Sequence, residues 1–302
     1  MYKFVLAVIL STIFVQPAAA KDYIKIGSWN IENLGQRRWG QNRFAIAEYL
    51  QLADLDVLAL QEIHDTDGEG APYRNKKLDQ VVTLMNERDG QDWKYELFPK
   101  RDADTTFQLC GVAWNSARVI KVGAAHRIPL DHQNDGLWDR HPYAVKFHAA
   151  GDGKNDIVVI SIHMKSNLRK TGAPPPTTRR AREAKALAAA FAKISTHFKD
   201  QDIIILGDTN CLKADEAALS TFKQLGLRDL NGKDVSTYVS DLRFDDDDIG
   251  PAFDHILIPS NQPEFRFSQQ FILQPADRTA HDKALSDHLL IMTSIQIAND
   301  DD

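Results

Sequence analysis

Short runs of apolar residues recur along the chain at lengths typical of buried β-strands. Many of these residues are Ile, Val and Leu, which pack well on a pleated surface. The pattern predicts strands at 23–29, 56–61, 107–114, 143–147, 156–163, 202–208, 253–259 and 288–297. A chain with so many apolar strands is expected to build its core around β-sheets.

Three stretches between these runs place apolar residues at helical spacing. They predict helices at 43–53, 78–88 and 178–198, of which the last is rich in Ala, Arg, Lys and Glu. Helices and strands alternate early in the chain, whereas strands follow one another in its middle. This order predicts a layered α/β fold with large mixed sheets rather than a purely parallel, doubly wound sheet.

Polar side chains stand at one end of most of the predicted strands. They are Asn30, Glu32, Glu62, His163, Asp208, Asn210, Asp254, Asp287 and His288. A single Asn or Asp after a strand is usually a turn former, and a single His there is usually a satisfied structural residue. Their joint occurrence predicts that the strand ends meet in one polar pocket on a rigid scaffold.

Two of these positions belong to similar Asp-His pairs. Asp254-His255 and Asp287-His288 each stand directly against an aliphatic run. Desolvating such groups is costly unless they are paired or bind a metal. The two pairs could be a chance repeat, two copies of a site, or two parts of one site.

The chemistry of this polar set suits a metal and acid–base catalysis. Carboxylate and amide oxygens favour a hard cation such as Mg²⁺, with Mn²⁺ and Ca²⁺ as alternatives. Histidines beside carboxylates suit proton transfer near neutral pH. Together they fit hydrolysis of a phosphate ester by an activated water. Acyl transfer and nucleotide binding lack support, because the sequence contains no GxSxG, P-loop or GxGxxG motif.

The first twenty residues have the pattern of a secretory signal peptide. Lys3 precedes the apolar run FVLAVILSTIFV, and Ala18 to Ala20 supply small residues for cleavage. We expect residues 21–302 to form one domain that is exported, either secreted or periplasmic. An uncleaved N-terminal anchor is the alternative.

The net charge and the cysteine content do not decide between the possible functions. The formal net charge of −6 lacks the basic footprint of a tight nucleic-acid binder, but it leaves room for brief contact through a local basic patch. The two cysteines, Cys110 and Cys211, could equally form a disulfide or remain as buried thiols.

A basic loop follows the strand that ends at His163. It carries Lys165, Arg169 and Lys170, and Arg179 and Arg180 follow a Gly-Ala-Pro-Pro-Pro segment that predicts a loop. Beside a reactive centre, such a loop suits contact with a phosphate backbone. The alternative is a solvated loop that leads into a charged helix.

An ordered set of motifs resembles a known family. SWNIENLG, LALQEI, DRHPYAVKF, ISIHMKS, ILGDTN, FDHILI and SDHLLI occur in the order seen in the endonuclease/exonuclease/phosphatase superfamily. The set is most similar to the deoxyribonuclease I-like branch and runs from about Ile24 to Ile297. The resemblance implies an α/β four-layer sandwich, with two mixed β-sheets packed face to face and flanking helices outside.

The resemblance also implies a metal site. Glu62 would be its principal carboxylate, with Asn30 and Asp287 completing or adjoining the site and Glu32 as an additional acidic ligand. Many members of the branch carry an arginine two residues after the metal glutamate, where this chain has His64. The glutamate that partners the first histidine in that branch has no clear match here.

The remaining roles are implied in the same way. Asp208 and Asn210 would hold the attacking water, the phosphate or a second metal, and Arg140 would grip a phosphate oxygen. The other members of the site are histidines with their partner: His163 as acid or phosphate ligand, His288 as general base or phosphate-stabilising acid, and Asp254 orienting His288. Asn30 and Lys165 are further candidates for substrate contact, whereas His255 is expected to be a surface or packing residue.

These roles predict an exported, metal-dependent phosphodiesterase that hydrolyses nucleic acid. DNA cut with little sequence preference is the preferred substrate, and a monomer without stable membrane association is the expected form. The alternative is a phosphoesterase of the same fold that acts on a phospholipid, as sphingomyelinases do, or on a small phosphate ester. A non-catalytic binding module is disfavoured, because His163, Asp208 and His288 are all present.

Overall fold

The computed structural model describes residues 23–36, 40–100, 107–131, 136–151, 155–169, 171–239 and 250–296. The predicted signal segment at 1–20 lies outside these ranges. Within them, no helix has the length and apolar character needed to span a membrane.

The described residues contain strands and helices in mixed order. The strands are β1 (Tyr23–Leu34), β2 (Val57–Ile63), β3 (Trp93–Leu97), β4 (Leu109–Asn115), β5 (Val119–Arg127), β6 (Tyr143–Ala149), β7 (Asp156–His163), β8 (Ile203–Asp208), β9 (Leu227–Asp229), β10 (Asp254–Pro259), β11 (Phe271–Ile272) and β12 (Ile291–Gln296). The helices are α1 (Arg43–Ala53), α2 (Lys76–Asn86), α3 (Pro176–Phe198), α4 (Ala217–Gln224) and α5 (Arg278–Ala284), with a 3₁₀ turn at Pro263–Phe265.

The described strands form two six-stranded sheets, in the orders β11-β12-β1-β2-β4-β3 and β5-β6-β7-β8-β10-β9. Both sheets are mixed. In the first, β1 pairs parallel with β2 and antiparallel with β12. In the second, β7 pairs parallel with β8 and antiparallel with β6.

Three apolar clusters separate the layers. Val57 and Ala59 of β2 face Val159 of β7 in a cluster between the sheets. Leu58 and Leu60, the alternate residues of β2, pack outward against α1 and α2. The outer face of the second sheet packs in the same way against α3 and α4. Because the central strands are buried on both faces, they appear in the sequence as continuous apolar runs. The predicted α/β four-layer sandwich is confirmed.

Most predicted elements are present with small changes at their ends. The bounds of β7 and α1 agree with the predicted ranges 156–163 and 43–53. The sequence pattern missed β3, β5, β9, β11, α4 and α5, which are short or partly exposed elements. Such elements bury too few alternating apolar residues to give a clear periodic signal.

The predicted strand at 288–297 begins later than expected, at Ile291. The backbone groups of His288 explain this, because they bond to side chains. Its N–H donates to Ser286 Oγ, and its carbonyl oxygen accepts from Trp29 Nε1 and His281 Nε2. His288 therefore precedes the strand, and its backbone pairs with Tyr238 in an isolated bridge.

Gly207 allows β7 and β8 to approach closely just before the functional strand ends. Its φ of +145° is unfavourable for other residues, and a Cβ there would collide with the backbone carbonyl oxygen of Ile162. The parallel register that follows places His163 opposite Asp208.

We predict that Gly207→Ala destabilises the protein by about 3 kcal/mol, because the added methyl group must displace a backbone and the φ becomes strained. Chemical denaturation measures this change. Gly232→Ala is the matched control, since its Cβ would lie 3.5 Å from Asp229 O, an ordinary contact. Equal stability of the two variants would contradict the close-approach explanation.

Candidate active site

The polar strand ends of both sheets converge on Asp208. Asp208 lies opposite Asp254 in the antiparallel pairing of β8 with β10. Its Oδ2 lies 3.4 Å from His163 Nε2 and 3.8 Å from His288 Nε2. His163 Nε2 lies 3.8 Å from Glu62 Oε1, which links this group to the first sheet. The predicted residues therefore form one site at a shared edge of the sandwich.

His288 and Asp254 form the shortest pair in this group. His288 Nδ1 donates to Asp254 Oδ2 at 2.8 Å, and Thr237 Oγ1 donates to the same oxygen at 2.7 Å. Burial disfavours the charged imidazole, but Asp254, Asp208 and Asp287 outweigh it and hold the pKa of His288 well above its usual value. Since Nδ1 is committed to Asp254, only Nε2 is free to exchange a proton in the site.

The surroundings of His163 shift its pKa in the direction opposite to that of His288. Burial, together with the charges of Arg140 and His288, lowers the pKa of His163 well below its usual value. Its Nδ1 is buried and has no hydrogen-bond partner among the residues that the structure describes. The acidic partner that the sequence left unplaced is thus not found there. The two histidines flank Asp208 with pKa values displaced in opposite directions, as in sites that separate acid from base.

Carboxylates crowd the first-sheet side of the site. Burial and the charges of Asp287, Asp282 and Glu62 raise the pKa of Glu32 to about 8. Burial also raises the pKa of Glu62; Asp287 adds to this rise and Arg140 opposes it. Like charges this close need a positive partner to remain ionised together.

This group fits a divalent cation. The Oδ1 atom of Asp287 is buried and accepts no hydrogen bond within the described ranges, and the nearest cationic atom is His288 Nε2 at 3.9 Å. In those ranges no group of three or more His, Cys, Asp or Glu side chains is arranged to hold a metal ion by itself. Mg²⁺ retains several waters and needs few protein carboxylates, so the set suits Mg²⁺ better than a cation enclosed by protein ligands.

Asn30 connects the carboxylate group to the histidine group. Its Nδ2 donates to Asp208 Oδ2 at 3.0 Å, and its side chain also acts to lower the pKa of Glu62, against the larger effect of burial. Its Oδ1 accepts from the backbone N–H of Glu32 at 3.0 Å, which leaves one lone pair for a further ligand. Asn30 therefore interacts with both Glu62 and Asp208.

Strained backbone conformations are concentrated around this site. Glu32, Asn33, Glu62, Gln108 and Asn210 all have φ between 24° and 59°. Such conformations cost of order 1–3 kcal/mol each for residues other than glycine, and they concentrate at functional sites. The pairing of β1 with β2 also shifts register here, and a bulge of this kind re-aims side chains.

Arg140, which the family resemblance predicts to bind a phosphate oxygen, lies beside the site. Its Nη2 donates to Gln108 Oε1, and Gln108 Nε2 donates to Asn33 Oδ1 at 3.0 Å. Its Nε is buried without a hydrogen bond in the described part of the chain. The guanidinium affects the pKa of both Glu62 and His163, so its charge acts within the site.

Asn210 and Lys165 lie at the margin of the site. Asn210 donates its backbone N–H to Asp208 Oδ1 at 2.8 Å and its Nδ2 to Met164 O at 3.3 Å. The ammonium of Lys165 donates to Ser166 and to Leu168 O within its own loop. Both residues lie next to the site to which the sequence analysis assigned them. The ammonium of Lys165, however, bonds to its own loop rather than to another site residue.

The sequence pattern did not reveal the residues that support the site. Thr237 donates to Asp254, and Gln108 accepts from Arg140 and donates to Asn33. Ser286 Oγ donates to Asn30 O at 2.6 Å. Of these, only Ser286 and Asn33 stand within motifs quoted above, so the others had no local signal. The two cysteines are free and buried, and burial raises the pKa of each thiol to about 12.

Comparison with known proteins gives consistent matches. A family model described as the Endonuclease/Exonuclease/phosphatase family matches residues 27–288. Deoxyribonuclease-1-like 1 of Homo sapiens is 25% identical over 171 residues, which cover 56% of this chain and 48% of that protein. The chain thus spans about half the length of this curated relative.

Solved structures share the fold at low identity. The endonuclease/exonuclease/phosphatase from Bacteroides vulgatus has a TM-score of 0.66 and 14% identity, covering 92% of this chain and 100% of its own. The mannosyl-6-phosphatase from Bacteroides thetaiotaomicron has a TM-score of 0.60 and 16% identity, covering 90% and 99% of the two chains. Both likenesses concern the fold alone.

His255, the histidine of the first Asp-His pair, lies outside this site. It is fully buried, so the expectation of a surface position is wrong, whereas a packing role agrees with its surroundings. Its Nδ1 bonds to Asp229 Oδ1 at 2.9 Å and its Nε2 to Ala252 O at 2.8 Å. The imidazole is buried because both ring nitrogens have partners there.

We predict that His255→Ala lowers the free energy of unfolding by about 3 kcal/mol, because it leaves the buried Asp229 carboxylate without its nearest partner. Denaturant titration of the variant and wild type measures the change. His126→Ala serves as control, since His126 is only partly buried. A His255 variant as stable as that control would show that the Asp229 pair is dispensable.

Proposed function

Since the chain belongs to the endonuclease/exonuclease/phosphatase family, we propose that it is an exported, metal-dependent phosphodiesterase that hydrolyses nucleic acid, with DNA cut at little sequence preference as its main substrate. Membership makes it a hydrolase of phosphoester bonds. The observation that carries the proposal is the placement of Asp208 between two histidines of opposite pKa displacement, next to a crowded carboxylate group.

The carboxylate group would hold the cation. Glu62 and Asp287, with Asn30 and Glu32 beside them, supply the oxygen atoms. A bound divalent ion, with Mg²⁺ as the proposed one, would supply positive charge for the phosphate and acidify a water. Arg140 adds a second positive charge beside Glu62 and His163 and would bind a phosphate oxygen.

Side chains of the protein then orient the attacking water and accept its proton. His288 would take that proton at Nε2, because Nδ1 is committed to Asp254. A cation held by Asp287 would offset part of the negative charge that raises the pKa of His288, and so leave Nε2 able to act as a base. Asp208 accepts from Asn30 and lies within 4 Å of both imidazoles, so it can orient the water. His163, at the other side of Asp208, is placed to contact the phosphate or the leaving oxygen.

The choice of nucleic acid rests on charge and on the relatives. Arg140 and the basic loop after β7 give local positive charge to a chain whose net charge is −6. The matched relative is named deoxyribonuclease-1-like 1. A phosphoesterase acting on a phospholipid or a small phosphate ester is the second candidate, because one protein of the same fold is named a mannosyl-6-phosphatase.

Location and assembly are part of the proposal. The predicted signal segment at 1–20 supports export, to the periplasm or the medium. We propose that the protein acts as a monomer and without stable membrane association.

Purified protein is expected to convert supercoiled plasmid to nicked and then linear DNA in Mg²⁺, and a chelator is expected to stop the reaction because the carboxylates then lack their counter-charge. Agarose gels measure both effects, and added Mg²⁺ should restore nicking after chelation. Intact plasmid alongside turnover of sphingomyelin or a small phosphate ester would overturn the nuclease in favour of the second candidate.

His288→Ala is expected to lower the nicking rate by roughly 10²–10⁴, the usual contribution of a positioned proton-transfer group. His255→Ala, assayed where the variant stays folded, is expected to stay close to wild type because His255 contacts Asp229 rather than the site. Initial rates per folded protein give the comparison. Near wild-type turnover by the His288 variant would exclude it as the base.

A further inference from the structure

A groove with a volume of about 490 Å³ lies beside the active site and has no role in the chemistry described above. Basic side chains line it, namely Lys165, Arg169, Arg179 and Arg182, together with the apolar side chains of Leu137, Leu168, Pro174 and Pro176. We call it the basic groove. Its volume is within the roughly 300–1,000 Å³ of pockets that bind small organic ligands.

The basic groove is close to the reactive centre along two chain segments. Asp139, on one wall, precedes Arg140 of the site. Lys165, on the other wall, follows His163 by two residues. Two residues of extended chain span at most about 7 Å, so a ligand in the groove can be continuous with one at the site.

A buried arginine fixes the loop that forms one wall. Arg180 is fully buried, and its Nε and Nη2 donate to both carboxylate oxygens of Glu216 at 2.6 and 3.0 Å. Its Nη1 donates to Lys165 O and Asn167 Oδ1. Asn167 Nδ2 in turn donates to Asn210 O at 3.0 Å. The wall is therefore joined to the segment that follows Asp208, and the groove is formed before any ligand binds.

The basic side chains of the groove differ in whether other groups of the protein bind them. Arg179 is held by Asp139 Oδ1 at 2.7 Å, Leu137 O and Glu183. Arg169 and Arg182 are exposed and form no ion pair with any residue that the structure describes. Two guanidinium groups without an acidic partner in the described ranges therefore face a groove with apolar walls, in a chain with a net charge of −6.

We propose that the basic groove binds one nucleotide unit of the substrate strand next to the phosphodiester bond that is cut, a proposal that rests on the nuclease function above. Arg169 and Arg182 hold the phosphate of this unit, and its base packs against Leu168 and Pro174. Guanidinium groups suit phosphate, and an apolar wall accepts any base face, so the subsite adds affinity without sequence preference.

The test compares Arg169→Gln/Arg182→Gln with wild type and with Lys94→Gln, a control that removes an exposed lysine from β3 of the other sheet. Anisotropy of a labelled single-stranded oligonucleotide, in chelator so that no strand is cut, gives Kd at several salt concentrations. The double variant is expected to raise Kd roughly tenfold and to lower the slope of log Kd against log salt by about 1. The control should match wild type.

A second readout separates the subsite from the catalytic centre. With Mg²⁺, the ratio of kcat/KM for the oligonucleotide to kcat/KM for bis(4-nitrophenyl) phosphate should fall about tenfold in the double variant, because the small diester has no neighbouring nucleotide. Wild-type Kd and salt slope in the double variant would overturn the subsite while nuclease activity stands. Loss of turnover only on sphingomyelin vesicles would also overturn it, in favour of a lipid site.

The two proposals fail in different ways. Wild-type protein that binds the oligonucleotide through Arg169 and Arg182 but cuts neither DNA nor RNA would overturn the proposed function and leave the subsite supported.

Discussion

The crowding of acidic side chains in a buried site is the constraint on which the rest of this structure depends. Asp208 has almost no contact with solvent, and burial, with Asp254 and Glu62 nearby, raises its pKa to about 7 although His288 opposes this. Such a group is stable only when other atoms replace its lost hydration. Asn30, the backbone N–H of Asn210 and the two imidazoles do so here. The remaining negative charge, around Glu62 and Asp287, is what a divalent cation would balance.

The scaffold maintains this unfavourable arrangement through rigid, strained backbone. Glu62 and Asn210 keep positive φ angles within a packed core, and Gly207 allows two strands to approach where a side chain would not fit. The large apolar clusters on both sides of each sheet supply the stability that these conformations reduce. Carboxylates held on strand ends of two packed sheets cannot move apart to relieve their repulsion, so the site is arranged before a substrate arrives.

Local charge and total charge have different consequences in this chain. A net charge of −6 would disfavour a polyanionic substrate if it were spread evenly. Arg140 faces the reactive centre, and Arg169 and Arg182 face the adjoining groove, so positive charge is concentrated along one possible path of a strand. Buried Arg180 has a different role. Its guanidinium is paired with the Glu216 carboxylate, and it holds the loop in place instead of binding substrate. Arginines that stand close together in the sequence thus perform unlike tasks.

Much of the fold and of the site could be predicted from the sequence, because both depend on local patterns. Apolar runs of strand length indicated the mixed sheets, and the polar residues at their ends, such as Glu62, His163 and Asp208, are the ones that converge. Other features depended on contacts between residues far apart in the chain, which no local pattern encodes. Thr237 and Gln108 support the site from separate loops, and His255 is buried because Asp229 lies beside it. The late start of β12 and the free state of both thiols were likewise decided only when long-range packing chose a partner for each backbone group and side chain.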